Sequence, residues 1–277
     1  MEENKNGSVI RGRGASDDKG QLMTFIEACR AFKAVKGALP LKISIFFEGE
    51  EESGSPSLIP YMTEYAEELK ADIALICDTG MVERNTPSIV TMLRGMVSQE
   101  ITIKGPNKDL HSGMYGGPSI NPIRVLTKAL ASLHDDNGAV TLDGFYDAVP
   151  ELPEQIINQW NNLDFDENKF LSEVGLSIPA GEKGRSILEQ IWSRPTAEVN
   201  GIWGGYTGEG FKTVIPCEAH AKVSFRLVGQ QDPDKIQASF KKHLESFLPT
   251  DCSLEYKLHG SSMAANMAID NPAFEIA

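Results

Sequence analysis

Histidine and cysteine are scarce in this chain: of 277 residues, five are His and four are Cys. Cys29, Cys77, Cys217 and Cys252 are far apart and form no CxxC pair. That argues against a disulfide framework, and the thiols read as buried or free in a reducing compartment. No apolar run approaches the length of a membrane-crossing helix. The start, Met1-Glu2-Glu3-Asn4, is polar and shows no apolar signal segment. The cytoplasm is therefore the expected compartment. Positive charge is in deficit, with 26 Lys and Arg against 39 Asp and Glu, a net charge of −13. Such a balance excludes nucleic acid and anionic membrane as expected partners, and is compatible with cation binding.

What the chain has in place of these is carboxylate, placed in turns. Leu41 to Phe47 is a continuous apolar run of the kind buried in a parallel sheet. It stops at Glu48-Gly49-Glu50-Glu51-Glu52, followed by Ser53-Gly54-Ser55. Clustered carboxylates repel unless a positive group sits among them, and a divalent metal is the usual one. The plain alternative is a solvated acidic loop. Upstream, Gly12-Arg13-Gly14-Ala15-Ser16 leads to Asp17-Asp18, and Leu22, Ile26 and Cys29 then recur at helical spacing. Helix capping explains one Asp at that place; two in a row exceed what capping needs. Asp72 to Cys77 is a second apolar strand, ending at Asp78-Thr79-Gly80. Strand, helix and strand in alternation predict right-handed crossovers and a parallel sheet, with all three acidic turns at one edge.

The character changes after Arg94-Gly95. Ser98 to Lys104 alternates as a half-buried strand. Asp109 to Gly117 is a small-residue loop presenting His111. Asn121-Pro122 opens a helix reaching about His134. Asp135 to Arg194 is rich in Pro, Asn, Asp and Glu, with short helical pieces. From Cys217 to Val228, Ala219, Ala221, Val223, Phe225 and Leu227 share one face, and Arg226 lies on the polar one. Gln231 to Phe247 reads as an amphipathic helix and Ser253 to Leu258 as a strand. The order strand, helix, two strands, helix, strand predicts a small α+β sandwich inserted into a mostly parallel α/β domain. The expected domains are 1–94 (catalytic, N-terminal part), 95–257 (lid and dimerisation) and 258–277 (return to the catalytic domain).

Five blocks in this order resemble one family. Gly12 to Gly20, Glu51-Glu52-Ser53-Gly54-Ser55, Cys77-Asp78, His111-Ser112-Gly113-Met114-Tyr115-Gly116-Gly117, and Lys212-Thr213-Val214-Ile215-Pro216 with Arg226 are similar to the co-catalytic metallopeptidase superfamily of carnosinases, aminoacylases, glutamate carboxypeptidases and succinyl-diaminopimelate desuccinylases. The carnosinase-like cytosolic dipeptidase branch fits best.

The resemblance implies hydrolysis of dipeptides or short peptides by a water bridging two divalent metal ions, zinc or manganese. Asp17 matches the bridging ligand, with a cis peptide bond to Asp18. Glu52 and Asp78 match ligands to one metal each, and Glu51 matches the general base. His111 matches the oxyanion-stabilising histidine, which in relatives reaches across from the lid of a partner subunit. Thr213 and Arg226 match substrate-binding residues, Arg226 holding a free C-terminal carboxylate. A homodimer formed through the lid domain is implied. Glu48 and Glu50 have no matching role and read as supporting or surface residues. His134, His220, His243 and His259 read as ordinary surface or core histidines.

The family's His-x-Asp motif ahead of the bridging Asp is absent, since no histidine precedes position 111. A further ligand histidine is expected beyond residue 277. The chain is therefore expected to be truncated at both ends, to bind metal weakly and to turn over poorly. An amidohydrolase of N-acyl amino acids remains open as an alternative, as does a non-catalytic binding or dimerisation module.

Overall fold

The computed structural model describes residues 2–4, 7–82, 86–272 and 274. The chain divides into two units, Met1–Val90 and Thr91–Ala277.

In the first unit, helix α1 (Lys19–Lys36) follows the glycine-rich turn and ends at Gly37 in the left-handed conformation. Helices α2 (Leu58–Glu64) and α3 (Ala66–Leu69) follow the acidic turn. The predicted parallel sheet is not evident. Segments 41–47 and 72–77 enter no ladder among the described residues. Leu41 is 72% exposed and Ile76 is 85% exposed. The physical reason is that a buried parallel strand needs a hydrogen-bonding neighbour on each side and cover on both faces. Two short apolar segments supply neither to one another.

The second unit holds the core. Strands β1 (Gly95–Lys104), β2 (Thr196–Gly204), β3 (Glu218–Leu227) and β4 (Ser253–Ser262) form one antiparallel sheet in the order β2-β3-β1-β4. Between β1 and β2 lie helices α4 (Pro122–Ala131), α5 (Glu154–Asn161), α6 (Glu167–Ser172) and α7 (Ile187–Trp192). Helix α8 (Pro233–Glu245) joins β3 to β4. The order strand, helix, two strands, helix, strand is thus the observed one, with short helices in the irregular stretch.

The two-residue period of β3 does as expected: Ala219, Ala221, Val223, Phe225 and Leu227 are all buried. They meet Leu126 and Ala129 of α4 and Ile236, Phe240 and Leu244 of α8 in one cluster with Val97, Ile101 and Ile103 of β1. Phe225 and Phe240 pack edge to face at 5.2 Å. Asn121 caps α4 by accepting from Ile123 N, and Asp232 caps α8 by accepting from Asp234 N. Among the described residues no helix is long and apolar enough to cross a membrane.

One polar side chain breaks the inward face of β1. Gln99 is 1% exposed, and among the described residues neither its amide nitrogen nor its oxygen finds a partner. A buried unpartnered polar group costs about 1–3 kcal/mol. Gln99→Met keeps the unbranched length and removes both polar atoms, so it is expected to raise the urea midpoint without changing the slope. A lowered midpoint would show that the amide is satisfied in solution.

The irregular stretch is braced within itself by ion pairs. Arg194 Nε donates to Glu182 Oε2 at 2.7 Å, and the Tyr146 hydroxyl donates to Glu182 Oε1 at 2.8 Å. Arg185 grips Glu151 through bonds of 2.7 and 2.8 Å. That fork holds the Glu151 carboxyl below the usual glutamate range. Glu189 is also held low: burial pushes it up, but the Ser186 N–H and Arg185 outweigh burial.

A carboxyl depressed in the fold adds stability at pH above its unfolded pKa and loses that contribution as pH falls through its folded value. The second unit is therefore expected to lose stability as pH drops below the ordinary glutamate value of about 4.3. Arg185→Gln is expected to flatten that loss. Superimposable profiles of urea midpoint against pH for the two proteins would count against it.

Candidate functional site

The acidic residues of the first unit are placed by turns. The loop from Gly12 closes with Ala15 N donating to Gly12 O and Lys19 N to Gly14 O. A Cβ on Gly20 would lie 2.8 Å from Ala15 O, so only glycine fits where this loop meets α1. The Asp17–Asp18 peptide is cis, as the resemblance implies. Asp18 occupies the N-cap of α1 yet makes no side-chain capping bond. Ordinary capping thus does not account for the Asp pair. The Gln21 amide donates to Ser16 O at 2.7 Å and to Thr79 O at 3.1 Å, joining the Asp17 turn to the Asp78 turn.

Glu51 to Ser53 form a single 3-10 turn, closed by Gly54 at φ 81°. Glu50 holds this turn to the start of α2, because Ser57 N donates to Glu50 Oε2 at 3.1 Å. Sequence reading missed that role; an acid ahead of a helix start with Ser57 at its N-cap was the available signal.

These turns gather the carboxylates. The Asp78 carboxyl is raised above its ordinary value by burial, then by repulsion from the nearby Asp17 and Asp18. The Glu51 carboxyl, although exposed overall, is raised by local loss of water and by repulsion from Glu52, Asp78, Asp17 and Glu48. Arg13 is drawn in: its Nη2 lies 3.2 Å from Glu52 Oε1, with both side chains mostly exposed. Asp17, Glu51, Glu52 and Asp78 are therefore neighbours. An oxygen-only donor set under mutual repulsion fits a hard divalent cation. Among the described residues, however, no three His, Cys, Asp or Glu side chains converge closely enough to hold an ion.

In the second unit, Leu110–His111 pairs with Val214–Ile215, and Ser112 N donates to Thr213 O at 2.9 Å. His111 Nδ1 accepts from Gly113 N at 3.0 Å. A neutral ring so held carries its proton on Nε2. Nε2 lies 3.4 Å from Thr213 Oγ1, a long hydrogen bond that sets the second ring nitrogen of His111 beside the Thr213 hydroxyl. A Cβ on Gly113 would approach His111 Cε1 to 2.8 Å, which is why glycine follows at that position.

Arg226 is elsewhere on this unit. It lies at the far end of β3, opposite Met96 of β1 and Thr196 of β2. Eight residues of strand from Glu218 span about 27 Å. The ladder then continues away from Arg226, through Gly105 N to Cys217 O and on to the Leu110–Ile215 pair. The expected substrate-binding residues thus fall into two places: His111 with Thr213 at one end of the sheet, and Arg226 at the other. His220 stacks on Trp203 at 4.9 Å, and His243 bonds Ser132 and Ala129 O, so both serve the sandwich itself.

Residues 91–252 match the family model described as a peptidase dimerisation domain, which sets the class of protein. The chain belongs to the M20 peptidase family, in the branch that holds the carnosine and Cys-Gly dipeptidases. It is 34% identical to the Cys-Gly metallodipeptidase of Schizosaccharomyces pombe over 84% of this chain and 49% of that protein. It is 31% identical to the Beta-Ala-His dipeptidase of Homo sapiens over 85% of this chain and 47% of that one. The crystal structure of an M20 family metallo-carboxypeptidase from Sulfolobus solfataricus superposes with a TM-score of 0.82 at 32% identity, covering 96% of this chain and 61% of that one. The chain spans about half the length of the curated relatives it matches.

Proposed function

We propose that this chain carries part of a metallodipeptidase site and acts in the hydrolysis of dipeptides or short peptides with a free C-terminal carboxylate. The observation that carries the reading is the gathering of Asp17, Glu51, Glu52 and Asp78 by three turns from separate parts of the sequence. Asp17, Glu52 and Asp78 would be among the ligands of two divalent ions, zinc or manganese, which would supply the Lewis acidity that lowers the pKa of water and polarises a carbonyl. Glu51 takes the proton from the attacking water and delivers it to the leaving amine as the C–N bond breaks. His111 donates Nε2–H to the oxyanion that forms on the carbonyl oxygen, and the Thr213 hydroxyl lies beside it. Arg226 grips the substrate carboxylate with two parallel N–H bonds, a geometry lysine cannot offer.

The separation of Arg226 from the His111–Thr213 pair favours a site completed by a second copy of the chain. A homodimer through the lid, acting in the cytoplasm, is part of this reading. Hydrolysis of Cys-Gly and β-Ala-His measured beside acetyl- and succinyl-amino acids, with zinc or manganese added, tests it. Preferential cleavage of the dipeptides supports the reading, whereas preferential cleavage of the acyl amino acids would favour an amidohydrolase. The match of residues 91–252 to a peptidase dimerisation domain favours a second reading, a binding or dimerisation module. Metal-independent dimers that cleave neither substrate class would support that module.

A further inference from the structure

Arg94 and Arg226 form a pair of guanidinium groups with no counter-ion among the described residues. Arg226 projects from the polar face of β3, directly opposite Met96. Arg94 precedes Met96 by two residues, which makes it the diagonal neighbour of Arg226 on the same face, at about 7–8 Å between backbone positions. Arg94 is half-buried, and among the described residues its one polar contact is a long bond from Nη1 to Gln190 O at 3.5 Å. Arg226 is exposed and makes no hydrogen bond or ion pair among the described residues. Glu198 of β2 lies opposite Ser224, two residues along from Arg226, and pairs with neither arginine.

This arrangement is out of keeping with the rest of the chain. Acids outnumber bases 39 to 26. The two other arginines of the second unit with ion pairs, Arg185 and Arg194, each reach two glutamates. Burial, and then repulsion from Arg226, pull the Arg94 pKa below its usual value. The sheet register holds two like charges together on one face, and an anion there would satisfy both. One carboxylate fills a single guanidinium fork; a second anionic group is needed to engage the other.

We propose that Arg94 is a second anion-recognising residue beside Arg226, and that the pair selects peptides whose C-terminal residue is itself acidic, presenting two carboxylates. The inference rests on the reading of Arg226 as the substrate-carboxylate residue.

The test uses the full chain and two probes, glutarate with two carboxylates and butyrate with one. Binding is followed through the arginine Nε–Hε NMR signals. Glutarate is expected to bind at least about tenfold more tightly than butyrate, which corresponds to one added charge-assisted contact. It is expected to move the signals of both Arg94 and Arg226. In Arg94→Gln the two probes are expected to bind alike. Arg94→Lys, which keeps the charge and loses the fork, is expected to fall between, and it serves if the glutamine variant does not fold. Equal binding of the two probes by the native chain, or an unaltered preference in either variant, would overturn the proposal. Metal-dependent cleavage of dipeptides alongside equal probe binding would overturn this inference alone. A glutarate preference in a chain that cleaves acyl amino acids in place of dipeptides would overturn the dipeptidase reading and leave the anion pair standing.

Discussion

If the proposed dipeptidase reading holds, Glu51→Gln is expected to lower the rate of dipeptide hydrolysis by about 10²–10⁴-fold, the range supplied by a positioned general base. Glutamine keeps the shape of the side chain and loses the proton acceptor. It also removes one negative charge from a crowded group, since Glu51 is repelled by Glu52, Asp78, Asp17 and Glu48. The substitution is therefore expected to leave the fold of the acidic turn intact, because the turn is held by backbone bonds from Ser53 N and Ser55 N to Glu50 O and by the Glu50 side chain. The measurement is kcat on a dipeptide beside the affinity for zinc by calorimetry. A fall in kcat with zinc binding retained assigns the proton transfer to Glu51. Unchanged hydrolysis would remove Glu51 from the mechanism, whatever else the carboxylates do.

Arg194→Ala destabilises the second unit by about 3–5 kcal/mol, the cost of stranding one member of a buried ion pair. The Arg194 and Glu182 side chains are 10% and 12% exposed and meet at 2.7 Å. The Arg194 guanidinium also lies over the Tyr146 ring, 5.4 Å from its centre. Without it, Glu182 keeps only the Tyr146 hydroxyl as a side-chain donor among the described residues. Burial pushes the Tyr146 hydroxyl up to about 12, so it remains a donor throughout the working range of pH. Truncation therefore leaves a carboxylate with one neutral donor in a site built for a cation. Urea unfolding followed by tryptophan fluorescence suits the test, because Trp160 and Trp192 pack edge to face at 5.1 Å in the same segment. Adding Glu182→Gln to the alanine variant is expected to recover part of the loss. A single-variant effect within about 0.5 kcal/mol, the ordinary scatter of surface substitutions, would mean that water reaches the pair in solution.

What the sequence determined by itself was local. The two-residue alternation of β3 named its buried face correctly, because side chains on a strand point to opposite sides whatever the neighbours are. Asn121-Pro122 marked the start of α4, because capping and a proline at the first helical position are decided within a few residues. The Asp17, Glu51, Glu52 and Asp78 turns were legible for the same reason: each is an apolar or glycine-rich stretch broken by acids.

Tertiary structure decided what depends on partners distant in the chain. Segments 41–47 and 72–77 read as buried strands, yet a strand is made by its neighbours, and among the described residues these segments have none. Gln21 reaches across 58 positions to Thr79 to join two acidic turns. Arg94 meets Arg226 only because β1 and β3 pair in one particular register. Composition gave no sign that this pair, or the buried Gln99, would be left without partners. Hydrogen bonds and charges are satisfied in three dimensions, and a linear sequence records the groups but not the distances between them.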